Sequence, residues 1–410
     1  MIFSIVIWYK FSEASAGELG NTRNIYRMVL VIVAALSAIN LLMKHSKDVL
    51  RTINLPLALL LTYGFTAFLS SLLIPQNAFY TMWKSIEIVI DVLAILGIIA
   101  ATKSVYGPIT AYRWLMFYNM MMLGFILAGL MIFPSEALRP SRGVIPFFLQ
   151  GHVPVLNPNT VGFISVQLVL HSMASLFRST RAKQCIFYAI LLLASLVALI
   201  LAQSRTSMVG LVAGIGIYLI LDNKKWVLLS AAVFTLVVTF FMSGTSLITE
   251  YLLRGQSEEL VMTLSGRTHG WAAAWDLFSQ SPLFGNGFAA AARVEILGSQ
   301  NASTLHGALF DVIVGVGLAG LIPWLLAIVL MLSTMAKLTF TMKRWITTKY
   351  ERSFHAEMVG ITAVLIIRSV TSSGIAMHEH AFMLMLCIIG YSYMLKREIQ
   401  YKRNNRPAFS

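Results

Sequence analysis

Apolar residues in this chain come in long, nearly uninterrupted runs rather than on one stripe of a helix or on alternate positions of a strand. The stretch from Leu196 to Ile220, LVALILAQSRTSMVGLVAGIGIYLI, contains a single charged residue, Arg205. Runs of about 17–25 apolar residues are what an α-helix needs to cross a bilayer, and a soluble domain does not tolerate them repeatedly. Eleven spans are expected, at 28–43, 55–74, 83–101, 115–133, 160–177, 184–202, 206–221, 226–242, 307–332, 357–375 and 381–395. The connectors are short and polar, apart from Pro134 to Asn159 and Ser243 to His306. A connection as long as the second usually carries function. The pattern therefore predicts an all-α, polytopic transmembrane helical bundle of about eleven or twelve spans with a large helical loop. Its expected parts are the N-terminal spans (1–242), the loop (243–306), the C-terminal spans (307–395) and a basic tail (396–410). The opening MIFSIVIWYK has no basic lead and is too short to span, so neither a cleavable signal nor a full helix is expected there.

Composition agrees: 58% of the 410 residues are hydrophobic and 12% charged, with a mean hydropathy of +0.77. The net charge of +14 raises the question of nucleic acid, but basic loops held on the cytoplasmic side explain it more simply. Alternate connectors hold most of the lysine and arginine, including Lys44, Lys47 and Arg51, the stretch from Lys337 to Arg352, and the tail from Lys396 to Arg406. That asymmetry puts the C-terminus in the cytoplasm, the N-terminus outside and both long loops on the outer side of the membrane. No nucleic-acid partner is expected. Cys185 and Cys387 fall in apolar runs, so no disulfide framework is implied.

The remaining basic residues are mostly arginine, among them Arg139, Arg142, Arg205, Arg254, Arg267, Arg293 and Arg368. The planar guanidinium matches phosphate and carboxylate in a way an ammonium does not, which suggests an anion handled outside the cytoplasm. In the large loop, LSGRTHGWAAAWDLFSQSPLFGNGF predicts a helix capped by Ser265 and starting near Arg267. Trp271, Trp275 and Phe278 follow on one face, suited to the membrane interface, and Pro282, Gly285 and Gly287 end the helix. An arginine in the first turn opposes the helix dipole unless an anion sits between them; a lipid headgroup is the alternative to a substrate. His306 opens the ninth span, with Gly317 and Gly320 within about 40° of it on a regular helix. These glycines would admit another helix. His306 is either an interfacial side chain or a neutral imidazole able to take a proton near pH 7.

Arg368 lies within the tenth span and should face the interior, either contacting a substrate phosphate or pairing with Asp91 or Asp311. Asn157, Pro158 and Asn159 read first as a turn and helix cap, with a glycan or phosphate contact as the lesser option. His378, Glu379 and His380 read as a surface turn rather than a metal site, and no metal or cofactor is expected. Lys84, Glu87 and Asp91 share one face of the third span and support the rival class, a lipid-linked-oligosaccharide flippase or other secondary transporter. No Asp-x-Asp pair of the kind that holds a metal–nucleotide sugar is present.

Several of these segments together resemble a known family. SGRTHGWAAAWDLFSQSPLFGNGF is similar to the Gly-Arg-x-x-x-Trp … Ser-Pro-Leu-x-Gly-x-Gly stretch of the bacterial O-antigen ligase and O-antigen/exopolysaccharide polymerase superfamily. HGALFDVIVGVGLAG resembles its histidine motif in His306, Gly317 and Gly320, and departs at Gly307, where an amide or hydroxyl is usual. SRTSMVGL resembles its Ser-Arg segment and NPNTVG its Pro-Asn-x-x-Gly. The resemblance covers roughly residues 150–330. It implies a metal-independent, inverting glycosyltransferase of lipopolysaccharide or surface polysaccharide biosynthesis. The implied donor is a glycan on undecaprenyl pyrophosphate; the acceptor is lipid A–core or another lipid-linked glycan. By the same resemblance, Arg205 and Arg267 match the family's pyrophosphate-facing arginines and His306 its proposed general base; Arg368 and Asn159 are further substrate-binding candidates from the reading of the residues above.

Overall fold

The computed structural model describes residues 22–73, 78–141, 145–153, 156–224, 226–227, 267–289, 305, 307–345 and 348–404. Of the described residues, 83% are helical. Among the described residues the helices are α1 (Thr22–Lys44), α2 (Ser46–Thr52), α3 (Leu55–Leu73), α4 (Ala78–Thr102), α5 (Tyr106–Ile132), α6 (Pro134–Ala137), α7 (Pro158–Arg178), α8 (Ala182–Ala202), α9 (Arg205–Leu221), α10 (Arg267–Gln280), α11 (Ala308–Trp345), α12 (Lys349–Ser369) and α13 (His380–Asn404). Six of them contain stretches long and apolar enough to cross a membrane: Leu55–Leu73, Thr81–Thr102, Tyr106–Ile132, Pro158–Arg178, Ala182–Ala202 and Ala308–Met342. Met28–Lys44 and Ser46–Thr52 add a seventh if counted as one span bent by 94°. The all-α polytopic architecture is thus as expected. The expected fourth span starts earlier, at Tyr106, and most of the expected span 226–242 lies outside the described residues.

The chain divides into two compact units. Unit 1 comprises residues 1–115, 267–341 and 369–410; unit 2 comprises residues 116–266 and 342–368.

In unit 1, α4 is the hub, packed by α1, α2, α3 and α13. On it Glu87 is bound by Trp83 Nε1 at 2.9 Å and Lys84 Nζ at 2.8 Å. Asp91 Oδ2 shares a hydrogen bond with His378 Nδ1 at 2.7 Å. Here the sequence reading is corrected: His378 is buried rather than part of a surface turn. Burying a carboxylate requires a partner, and this segment supplies it. Tyr63 Oη donates to Ala376 O at 2.6 Å, Trp324 Nε1 to Ile375 O at 3.1 Å, and Ser373 Oγ to Asp311. Where α2 meets the end of α4, the Lys103 ammonium lies 2.7 Å from Asp48 Oδ2 and holds that carboxyl below its usual range.

The second correction concerns α11. It is broken at Gly317 (φ 60°, ψ −160°), so the regular-helix projection from His306 to Gly317 and Gly320 does not hold. At Gly317 what approaches is the turn after α10, whereas at Gly320 a Cβ would stand 3.3 Å from Thr66 Oγ1 of helix α3. Four backbone groups that would have paired across the break find new partners. Leu318 N donates to Pro282 O at 2.9 Å, Ala319 N to Leu283 O at 3.0 Å, and Val314 O accepts from Asn286 N at 2.7 Å. Ser70 Oγ lies 2.6 Å from Phe284 O and 3.0 Å from Gly315 O. Within hydrocarbon such groups must be satisfied inside the protein. A Cβ on Gly317 would stand 2.5 Å from Leu283 O, and one on Gly285 2.6 Å from Gly317 N.

In unit 2, α7 is the hub, packed by α8 and α9. Asn157 caps it, accepting from Thr160 N at 2.8 Å, and Pro158 takes the first turn, where no intrahelical donor is needed. Helix α12 joins it through Glu357, fully buried, whose Oε1 lies 2.6 Å from His171 Nδ1 and Oε2 2.5 Å from Arg178. Arg178 is therefore an internal ion-pair partner rather than one more loop cation. The close helix approach expected of glycines is realised between α9 and α12: a Cβ on Gly360 would meet Gly214 O at 2.8 Å. The loop after α6 forms a hairpin not anticipated from the sequence, β1 (Leu138–Pro140) antiparallel to β2 (Phe147–Leu149).

Gly317→Ala forces a side chain into a backbone region that only glycine occupies readily, at about 1–3 kcal/mol before any clash. Thermal unfolding in detergent should show a lowered midpoint, whereas Gly216→Ala, with nothing within 4 Å of its Cβ, should not lower it.

Candidate functional site

Three of the sequence-derived candidates come together in unit 2. Helix α8 ends at Ala202 and α9 begins at Arg205, so only Gln203 and Ser204 make the turn. Gln203 adopts the left-handed conformation (φ 49°, ψ 35°), which costs a non-glycine residue about 1–2 kcal/mol. Its buried amide compensates by donating from Nε2 to Phe147 O of β2 at 2.7 Å. Ser204 Oγ donates within reach of Asn159 Oδ1 (3.3 Å) and Ser207 Oγ (2.9 Å). Asn159 O in turn accepts from Arg368 Nη1 at 2.8 Å. The Arg368 guanidinium also lies over the Phe163 ring, 4.1 Å from its centroid, a cation–π contact that keeps the group flat and oriented. Asn159 is exposed, while Arg205 and Arg368 are half-buried. One asparagine thus links the turn that opens on Arg205 to the guanidinium of Arg368. Asp91 and Asp311, the acids weighed as partners for Arg368, are bound by His378 and Ser373.

Gly162 in NPNTVG brings α7 against this turn: a Cβ there would meet Ser204 Cβ at 2.5 Å. Helix α9 starts on Arg205 itself and has no acidic residue in its first turn. A fixed positive charge therefore sits where the helix already presents positive potential, an arrangement that favours a shared anion.

In unit 1, α10 begins at Arg267, as the sequence predicts, again without an acidic residue in its first turn. The Arg267 side chain, Ser265 and His306 lie outside the described residues, as do Arg142, Arg254 and Arg293. The aromatic face of α10 divides. Trp271 stacks on Phe310 (centroids 4.9 Å, planes 14° apart) and donates from Nε1 to Leu305 O at 3.0 Å, while Trp275 stays 57% exposed. Gly307, the departure from the histidine motif, faces Val370 O at 3.2 Å and Trp271 Nε1 at 3.4 Å from a notional Cβ. Its surroundings leave little room for the usual amide or hydroxyl side chain.

Sequence reasoning missed Gln203, Phe163, Ser70 and the Glu357–His171–Arg178 cluster. Phe163 and Glu357 were unremarkable within apolar spans, and their partners lie far along the chain. Lys84, Glu87 and Asp91, which supported a transporter, all take part in hydrogen bonds or ion pairs within unit 1.

Gly162→Ala overpacks the contact with Ser204, a change that typically costs about 1–3 kcal/mol. The thermal midpoint should fall measurably; an unchanged midpoint contradicts the close approach of α7 to the turn.

Residues 189–325 match a family model described as O-antigen ligase. The matched stretch contains Arg205, Arg267 and His306, and leaves out Asn159 and Arg368. No curated protein sequence matches the chain. This match, over about a third of the chain, supports its similarity to the O-antigen ligase and polymerase superfamily.

Proposed function

We propose that this protein is a glycosyltransferase of the periplasmic face of the bacterial inner membrane. It moves a glycan from undecaprenyl pyrophosphate onto lipid A–core, as a ligase, or onto another lipid-linked glycan, as a polymerase. The observation that carries this reading is the position of Arg205 and Arg267. Each is the first residue of a helix with no acid in its first turn, and both fall inside the O-antigen ligase match. Each such cation suits a phosphate.

In the reaction, the bond between the anomeric carbon and the pyrophosphate oxygen breaks. The acceptor hydroxyl attacks from the opposite face, inverting the centre. His306 takes the hydroxyl proton, and such general-base assistance is typically worth about 10²–10⁴-fold. Charge builds on the departing lipid pyrophosphate, where Arg205 and Arg267 supply preorganised positive charge. Arg368, held by Asn159 and Phe163, is a further phosphate contact, and Asn159 presents an exposed amide to the glycan. Arginine serves this role better than lysine because two parallel N–H bonds reach one phosphate.

Purified protein given lipid-linked glycan and acceptor, with a chelator and no nucleotide sugar, should transfer glycan. His306→Ala should lower the rate by at least about 10²-fold, and Arg267→Ala should weaken it severely. Full activity of His306→Ala removes the base assignment. Movement of labelled lipid across vesicles, blocked by Asp91→Asn and without transfer, supports a flippase instead. In cells, deletion separates the two transferases: accumulated long free polymer marks a ligase, single repeats a polymerase.

A further inference from the structure

We infer that Gln203 is a positioning residue for Arg205, and that through it the β1–β2 hairpin is part of the transferase site. The inference rests on the role proposed for Arg205. The turn before Arg205 is only two residues long, so the direction in which α9 starts is decided by the backbone angles at Gln203 and Ser204. Ser204 is extended (φ −84°, ψ 98°) and pressed by Gly162. The variable angle is therefore at Gln203, a left-handed residue that is not glycine.

Three observations show that its side chain is there to hold that conformation. It is 2% exposed. Its Nε2 donates to Phe147 O at 2.7 Å and lies 3.4 Å from Ile145 O, both on the hairpin arm that includes β2. Its Oε1 is buried with no hydrogen-bond partner among the described residues. A residue kept only for packing would not carry an unsatisfied amide oxygen and a disfavoured backbone conformation together; an apolar side chain or glycine would serve better there. The retained feature is the donor that joins turn to hairpin. The hairpin in turn is closed by its own ladder, with Arg139 opposite Phe148 and Ser141 N bonded to Pro146 O at 2.7 Å. A displacement of the hairpin is thereby passed to the first turn of α9.

The test compares Gln203→Gly, Arg205→Lys and the double variant in the lipid-linked glycan transfer assay, following kcat, donor KM and thermal midpoint. Glycine accepts the left-handed angle without strain, a gain that offsets the loss of the buried side chain, and it removes the link. Gln203→Gly should keep the midpoint and lower kcat about tenfold, the scale of a sub-ångström misplacement. In the Arg205→Lys background the same change should cost less than about twofold, because a residue acting through Arg205 has nothing left to position. Gln203→Asn, which also tolerates the left-handed region but is one methylene shorter, should repeat the result and serves if Gln203→Gly lowers the midpoint. Equal losses in both backgrounds, or an unchanged kcat in Gln203→Gly beside an impaired Arg205→Lys, overturn the positioning role. A fully active Arg205→Ala overturns the role of the arginine first, and the role of Gln203 with it.

Discussion

Within a bilayer, a polar group that leaves its regular partner must find another inside the protein, and most of what distinguishes this structure follows from that constraint. Helix α11 is the clearest case. It breaks at Gly317, and the freed groups are taken up by Pro282, Leu283, Asn286 and Ser70. The loop after α10 is thereby stitched into the helix. This gives the Ser-Pro-Leu-Phe-Gly-Asn-Gly segment and the distant Gly317 one shared reason to exist: each supplies what the other lacks.

The same logic governs charge. Glu357 is buried because His171 and Arg178 meet it, and Asp91 because His378 does. Partnered in this way, these groups read as internal ties between helices. The candidate arginines, two in unit 2 and one in unit 1, differ in kind. Arg205 and Arg267 open helices that carry no acid in their first turns, and Arg368 is oriented by a carbonyl and an aromatic ring. Oriented positive charge is what the proposed stabilisation of a departing diphosphate requires.

Gly307 illustrates how a departure from a motif is absorbed. Trp271, Phe310 and the Val370 carbonyl close around it, leaving little space for a polar side chain. Trp271 also holds the Leu305 carbonyl, so the tryptophan of the Gly-Arg-x-x-x-Trp segment is tied to the chain on both sides of position 306.

Hydropathy determined the class of fold and most of the helices, and capping residues the start of α10 near Arg267, because span length and helix punctuation are local properties of the chain. The sequence also singled out Arg205 and Arg368 as lone charges in apolar runs, and Asn159 beside the capping Asn157. Only the tertiary structure decided that Asn159 joins the other two, that Gly317 breaks its helix rather than lining a helix pair, and that His378 is buried on Asp91. It also decided that an inconspicuous Gln203 sets the turn before Arg205. Each of these depends on contacts between residues tens to hundreds of positions apart, or on a backbone angle, and neither leaves a periodic trace in the sequence.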